Sequence, residues 1–96
     1  MGEDLELTCT ATAVPPATFV EIRKRNGSET VLMNMTGSNS RTLSVTHTLQ
    51  NLMLGDSAVY VCVANNSEGL TEQNFTLQVQ GRWALFGNIH LITVMQ

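Results

Sequence analysis

The chain has 96 residues and a formal net charge of -3, with 43 % apolar and 14 % charged side chains. That length fits one domain built on one two-layer core and is too short for a second. The single basic cluster is Arg23, Lys24 and Arg25, which argues against nucleic acid as a partner, and no run approaches the ~20 apolar residues that span a bilayer, so any membrane contact belongs to a parent protein.

In chain order, Leu5, Leu7, Cys9 and Ala11 alternate with Glu6, Thr8 and Thr10, predicting a strand with one apolar face. Pro15-Pro16 stops it. Residues 19–25 restart an extended pattern with Val20 and Ile22 on one face, and Asn26-Gly27 is a strong hairpin-turn dipeptide. Residues 30–35 read as the returning strand and 36–40 as a polar loop. Leu43, Val45, His47 and Leu49 then alternate with Thr42, Ser44, Thr46 and Thr48, a β-branched strand.

Residues 51–57, with Gly55-Asp56, read as a turn crossing between sheets. The strand after it, 58–65, sets Tyr60, Cys62 and Ala64 on one face and Val59, Val61 and Val63 on the other. A tight loop at 65–69 leads to a last inward face of Phe75, Leu77 and Val79. Six or seven short, evenly spaced strands with no helical period predict an all-β sandwich or barrel.

Two cysteines, Cys9 and Cys62, lie too far apart for a C-x-x-C redox or zinc site and read as one long-range disulfide or two buried thiols. Four Asn-x-Ser/Thr triplets begin at Asn26, Asn34, Asn65 and Asn74, where about one or two are expected by chance. The excess points to the secretory route, in which a disulfide is also stable. The opening Met1-Gly2-Glu3-Asp4 is polar and reads as a start methionine ahead of a trimmed domain rather than as a leader.

Asp56-Ser57-Ala58-Val59-Tyr60-Val61-Cys62 resembles the D-x-A/G-x-Y-x-C signature of immunoglobulin domains. Cys62-Val63-Ala64-Asn65-Asn66-Ser67-Glu68-Gly69 is similar to the C-x-A-x-N-x-x-G element of their I-set subclass, and Leu5-x-Leu7-x-Cys9 to strand B. The resemblance spans about residues 2–80. It implies a two-sheet Greek-key β-sandwich, a Cys9–Cys62 bridge between the sheets, and a tyrosine corner formed by Tyr60 near Asp56. Asp56 in this family commonly pairs with a basic residue, for which Arg41 is the candidate.

Three features depart from the family pattern. Counting along strand C puts Ile22 where the family has a Trp packed on the disulfide. The strand that normally precedes B is missing, which leaves one sheet edge bare. Finally, residues 82–96 run beyond an immunoglobulin-like domain at 1–81; this tail reads either as a linker or as an added β-strand pairing with the open edge.

Val59, Val61 and Val63 are expected to face outward beside Glu21, Arg23 and Arg25, an apolar stripe with a charged border and a candidate binding face. The competing reading is that valine is a good strand former covered by arginine stems. A glycan on Asn74 would sit on that same face and oppose recognition there. Neither His47 nor His90 has a second ligand at metal spacing, and Ser57, Asp56 and His47 lack a nucleophile elbow, so no metal, cofactor or catalytic constellation is read.

The expectation is a non-enzymatic, extracellular binding module of a cell-surface receptor or adhesion protein. Its partner is a protein ligand or a second copy, and its glycosylation candidates carry N-glycans. The alternative is a structural spacer in a glycosylated multidomain ectodomain.

Overall fold

The computed structural model describes residues 4–37 and 41–79, and residues 88–95 by their backbone. Among the described residues seven strands form in chain order: β1 (Leu5–Ala13), β2 (Phe19–Asn26), β3 (Ser28–Thr36), β4 (Thr42–Leu49), β5 (Ala58–Asn66), β6 (Gly69–Leu77) and β7 (Asn88–Met95), with one 3-10 turn at Leu54–Asp56. They divide into a three-stranded sheet, β4-β1-β7, and a four-stranded sheet, β3-β2-β5-β6.

Period-two alternation decides which side chains meet between the sheets. Leu5, Leu7, Cys9, Ala11 and Ala13 of β1 and Leu43 and Val45 of β4 face Val20 and Ile22 of β2 and Tyr60, Cys62 and Ala64 of β5, all buried in one core with Leu52, Leu77 and Val79. The disulfide between Cys9 and Cys62 ties β1 of one sheet to β5 of the other, with Cα atoms 5.7 Å apart and a sequence separation of 53. Closing a loop of that size contributes about 4 kcal/mol by restricting the unfolded chain. Ile22, 3 % exposed, holds the place beside the bridge. A small cavity lined by Leu7, Cys9, Ile22, Tyr60 and Cys62 remains there, as expected where a branched aliphatic side chain fills part of an indole's volume.

β3 is longer than the expected 30–35 because the hairpin ladder runs on to Asn26↔Ser28 around Gly27, whose φ of 80° favours glycine. One register shift between Ile22 and Arg23 bulges β3 at Leu32, which turns inward and packs on the core. On the other sheet, β4 pairs antiparallel with β1, and β7 lies along the opposite edge of β1 in parallel register, from Glu6↔Asn88 to Ala13↔Met95. Residues 82–87 of the tail lie outside the described residues. The outward face of β1 and β4 carries a ladder of hydroxyl pairs: Thr8–Thr46 at 3.1 Å, Thr10–Ser44 at 2.6 Å and Thr12–Thr42 at 3.4 Å.

Candidate recognition surface

The outer face of the four-stranded sheet is a grid set by strand register. Across β3, β2, β5 and β6 its rows run Thr36, Phe19, Asn65, Leu70; then Asn34, Glu21, Val63, Glu72; then Val31, Arg23, Val61, Asn74; then Glu29, Arg25, Val59, Thr76. The candidate residues Glu21, Arg23, Arg25, Val59, Val61 and Val63 therefore share one face, occupying its two central strands.

The expected exposed apolar stripe is corrected by burial. Val61 and Val63 are both 0 % exposed, and Val59 is half-buried, although all three lie on the outer side. Each is flanked across the ladder by longer side chains held in place by ion pairs. Arg23 donates from Nε to Glu21 Oε2 at 2.7 Å and lies 3.2 Å from Glu29 through Nη1. Arg25 donates from Nε to Glu29 Oε2 at 2.7 Å and approaches Glu72 at 3.7 Å. Asn34 Nδ2 donates to the second oxygen of Glu21 at 2.9 Å. Arg23 stands across the ladder from Val61 and Arg25 from Val59, while Glu21 and Glu72 flank Val63, so each valine is bordered by a long side chain whose aliphatic stem is suited to cover it while its head stays paired.

The charges reinforce one another. The hydrogen bond that Arg23 donates to Glu21 raises the Arg23 pKa further above its ordinary value. Arg25, and then Arg23, hold the Glu29 carboxyl below the ordinary glutamate range. The carboxylates Glu29 and Glu72 of this lattice were not among the sequence candidates. Their signal was present: Glu29 stands four residues after Arg25, across the Asn26-Gly27 turn.

Beside this face, the ends of β1, β2 and β5 meet in a tightly bonded loop corner. Asn66, 3 % exposed, donates Nδ2 to the Pro15 carbonyl at 3.0 Å, and its Oδ1 accepts from the Glu68 N–H at 2.9 Å. Thr18 N–H donates to the Asn65 carbonyl at 2.6 Å, Asn65 Nδ2 donates to Thr18 Oγ1 at 3.0 Å, and Gly37 N–H donates to the Thr18 carbonyl at 2.7 Å. The Val14-Pro15 peptide bond is cis. Two large apolar side chains project from this corner, Val14 at 53 % and Leu70 at 55 % exposed. The sequence reading located the loops but named neither residue.

At the opposite end, the Tyr60 hydroxyl donates to the Asp56 carbonyl at 2.5 Å, with the Tyr60 side chain in the core. Burial, then the Asp56 charge, pushes the phenol up to about 12. The expected Asp56–Arg41 pair does not form: Asp56 Oδ2 instead accepts from the Met53 N–H at 2.9 Å, capping the 3-10 turn. Arg41 precedes β4 at its far end, where its carbonyl accepts from Ala13 N–H, so the length of β4 separates the two.

Among the glycosylation candidates, Asn26 closes β2 and is exposed, and Asn65 is half-buried in the loop corner. Asn34 and Asn74 are exposed on β3 and β6, the two edge strands of the sheet. His47 lies half-buried on the inward side of β4, and His90 lies in β7, whose side chains are outside the described residues. Among the described residues, no three of His, Cys, Asp and Glu gather at metal-binding distance.

Two sheets packed face to face, bridged from β1 to β5 by one disulfide beside a tyrosine whose hydroxyl bonds back to the preceding turn, define an immunoglobulin-type sandwich domain. The chain belongs to the immunoglobulin I-set domain family, whose profile matches residues 1–79. It is similar to vascular cell adhesion protein 1 of Canis lupus familiaris and of Homo sapiens, 30 % identical to each over 81 residues. Those matches cover 84 % of this chain and 10 % of each relative, so the chain spans about a tenth of their length.

Proposed function

We propose that the chain is an extracellular, non-enzymatic protein-recognition domain of a cell-surface receptor or adhesion protein. Its contact surface is the corner where the outer face of the four-stranded sheet meets the Pro15 and Glu68 loops. The observation that carries this reading is the exposure of Val14 and Leu70 on a backbone already locked by Asn66 and Thr18. A loop corner fixed before binding loses little further conformational freedom in a complex, so its apolar contacts are retained as affinity. Membership of the I-set family and likeness to proteins named for vascular cell adhesion support the same reading.

Within this surface Glu21, Arg23 and Arg25 form, together with Glu29, a polar field whose charges are mutually neutralised. Val59, Val61 and Val63 support it from beneath. A partner is a protein presenting an apolar side chain at the Leu70 corner and hydrogen-bonding groups over the charge lattice.

A multivalent display of the chain, titrated onto intact cells, tests the proposal. Saturable binding that Leu70→Arg abolishes, with the unfolding midpoint unchanged, supports it. Absence of saturable binding by the multivalent form favours the spacer reading, to which the closed charge lattice also lends itself.

A further inference from the structure

β3 ends the four-stranded sheet, and along one side of it no further strand pairs among the described residues. Alternate backbone N–H and C=O groups of a nine-residue strand, Ser28–Thr36, therefore point away from the sheet. Edge strands are normally blunted by Lys, Pro or inward-pointing charge. Between Thr30 and Thr36 this strand has no charged residue and no Pro. Val31, Met33 and Met35 are instead 51 %, 39 % and 44 % exposed. Antiparallel pairing of β3 with β3 of a second copy is two-fold symmetric and would satisfy the free backbone groups while covering those side chains.

One feature of the strand opposes that pairing. Asn34-Met35-Thr36 is an N-glycosylation triplet placed within the apolar run, and both Asn34 and Thr36 are exposed. Asn34 Nδ2 donates one hydrogen bond to Glu21 Oε1 at 2.9 Å. A glycosylated amide nitrogen keeps one N–H, so this bond and the attached sugar are compatible. The other triplets differ in setting. Asn65 is tied into the loop corner through Thr18, Asn26 lies at the hairpin turn, and Asn74 on β6 has polar Glu72, Gln73 and Thr76 around it.

We infer that Asn34 carries an N-linked oligosaccharide whose role is to cover the β3 edge and keep two copies from joining strand to strand. The attachment forms a bond from Nδ2 to C1 of the sugar and breaks the C1–O bond of a polyprenyl-diphosphate-linked donor. The lipid diphosphate leaves, and the displaced amide proton passes to solvent. A branched oligosaccharide is bulky and strongly hydrated, and on an edge strand it excludes a second strand by volume. The inference rests on the secretory placement proposed above.

The test begins with peptide mass spectrometry of the chain secreted from glycosylating cells, before and after enzymatic release of N-glycans, which converts a sugar-bearing Asn to Asp. Sedimentation across a concentration series then compares the wild type with Thr36→Ser, which keeps the triplet, and with Asn34→Gln and Thr36→Ala, which remove it. Expected results are sugar on Asn34, monomers for the wild type and Thr36→Ser, and an apparent mass moving toward twofold for the other two. Adding Met33→Lys to Thr36→Ala should restore the monomer, while Asn74→Gln should stay monomeric. Sugar on Asn26, Asn65 or Asn74 with none on Asn34 overturns this inference alone, as does a Thr36→Ala variant that stays monomeric. Sugar on none of the four overturns the secretory placement with it.

Discussion

Asn66 and Pro15 stand 51 residues apart in sequence, yet the Asn66 amide donates to the Pro15 carbonyl at 3.0 Å from a side chain 3 % exposed. One buried amide thereby joins the loop after β1 to the turn after β5. Asn66→Ala leaves the Pro15 carbonyl and the Glu68 N–H without this partner, and should cost about 1–3 kcal/mol in urea denaturation. Faster amide hydrogen exchange at Glu68 is expected to accompany the loss. An unchanged midpoint would show that water replaces the amide without cost.

The raised Tyr60 phenol gives a pH dependence of defined sign. Its folded pKa, about 12, lies above the ordinary tyrosine value of 10, so the folded state holds the proton more tightly. This contribution is fully present below pH 10 and is lost as pH rises through 12, with a slope of at most about 1.4 kcal/mol per pH unit. Tyr60→Phe should flatten that alkaline limb and, by deleting the bond to the Asp56 carbonyl, lower neutral-pH stability by about 1–2 kcal/mol.

Val63→Ala separates a buried valine from a contact valine. At 0 % exposure, its truncation should lower stability by about 1–2 kcal/mol, measured by thermal or urea unfolding, because apolar area is uncovered beneath the charge lattice. No loss of stability would return Val63 to the solvent-facing stripe that the sequence suggested.

β7 supplies the partner for one edge of β1 along the register Glu6↔Asn88 to Ala13↔Met95. A version ending at Gly81 should bare that edge, lower the unfolding midpoint and self-associate in sedimentation at concentrations where the longer chain does not. Equal behaviour of the two versions would assign residues 82–96 to a linker.

The sequence by itself determined the strands, the sandwich and the facing of the core. Alternation of Leu5, Leu7, Cys9 and Ala11, and of Tyr60, Cys62 and Ala64, is a local property that registers directly in side-chain period. The motif around Tyr60 and Cys62 then selected the immunoglobulin topology. Side of the sheet was legible for Val59, Val61 and Val63, but burial was not, because the long side chains beside them, Glu21, Arg23 and Arg25, are held by Glu29, Glu72 and Asn34 of other strands. The Asp56–Arg41 expectation failed for the same reason: only the placement of β4 puts its two ends, and so those two residues, far apart. Likewise, only strand order makes β3 an edge and so exposes Val31, Met33 and Met35. Period is written in neighbours along the chain, whereas burial, charge partners and sheet edges are decided by which distant strands come to lie beside them.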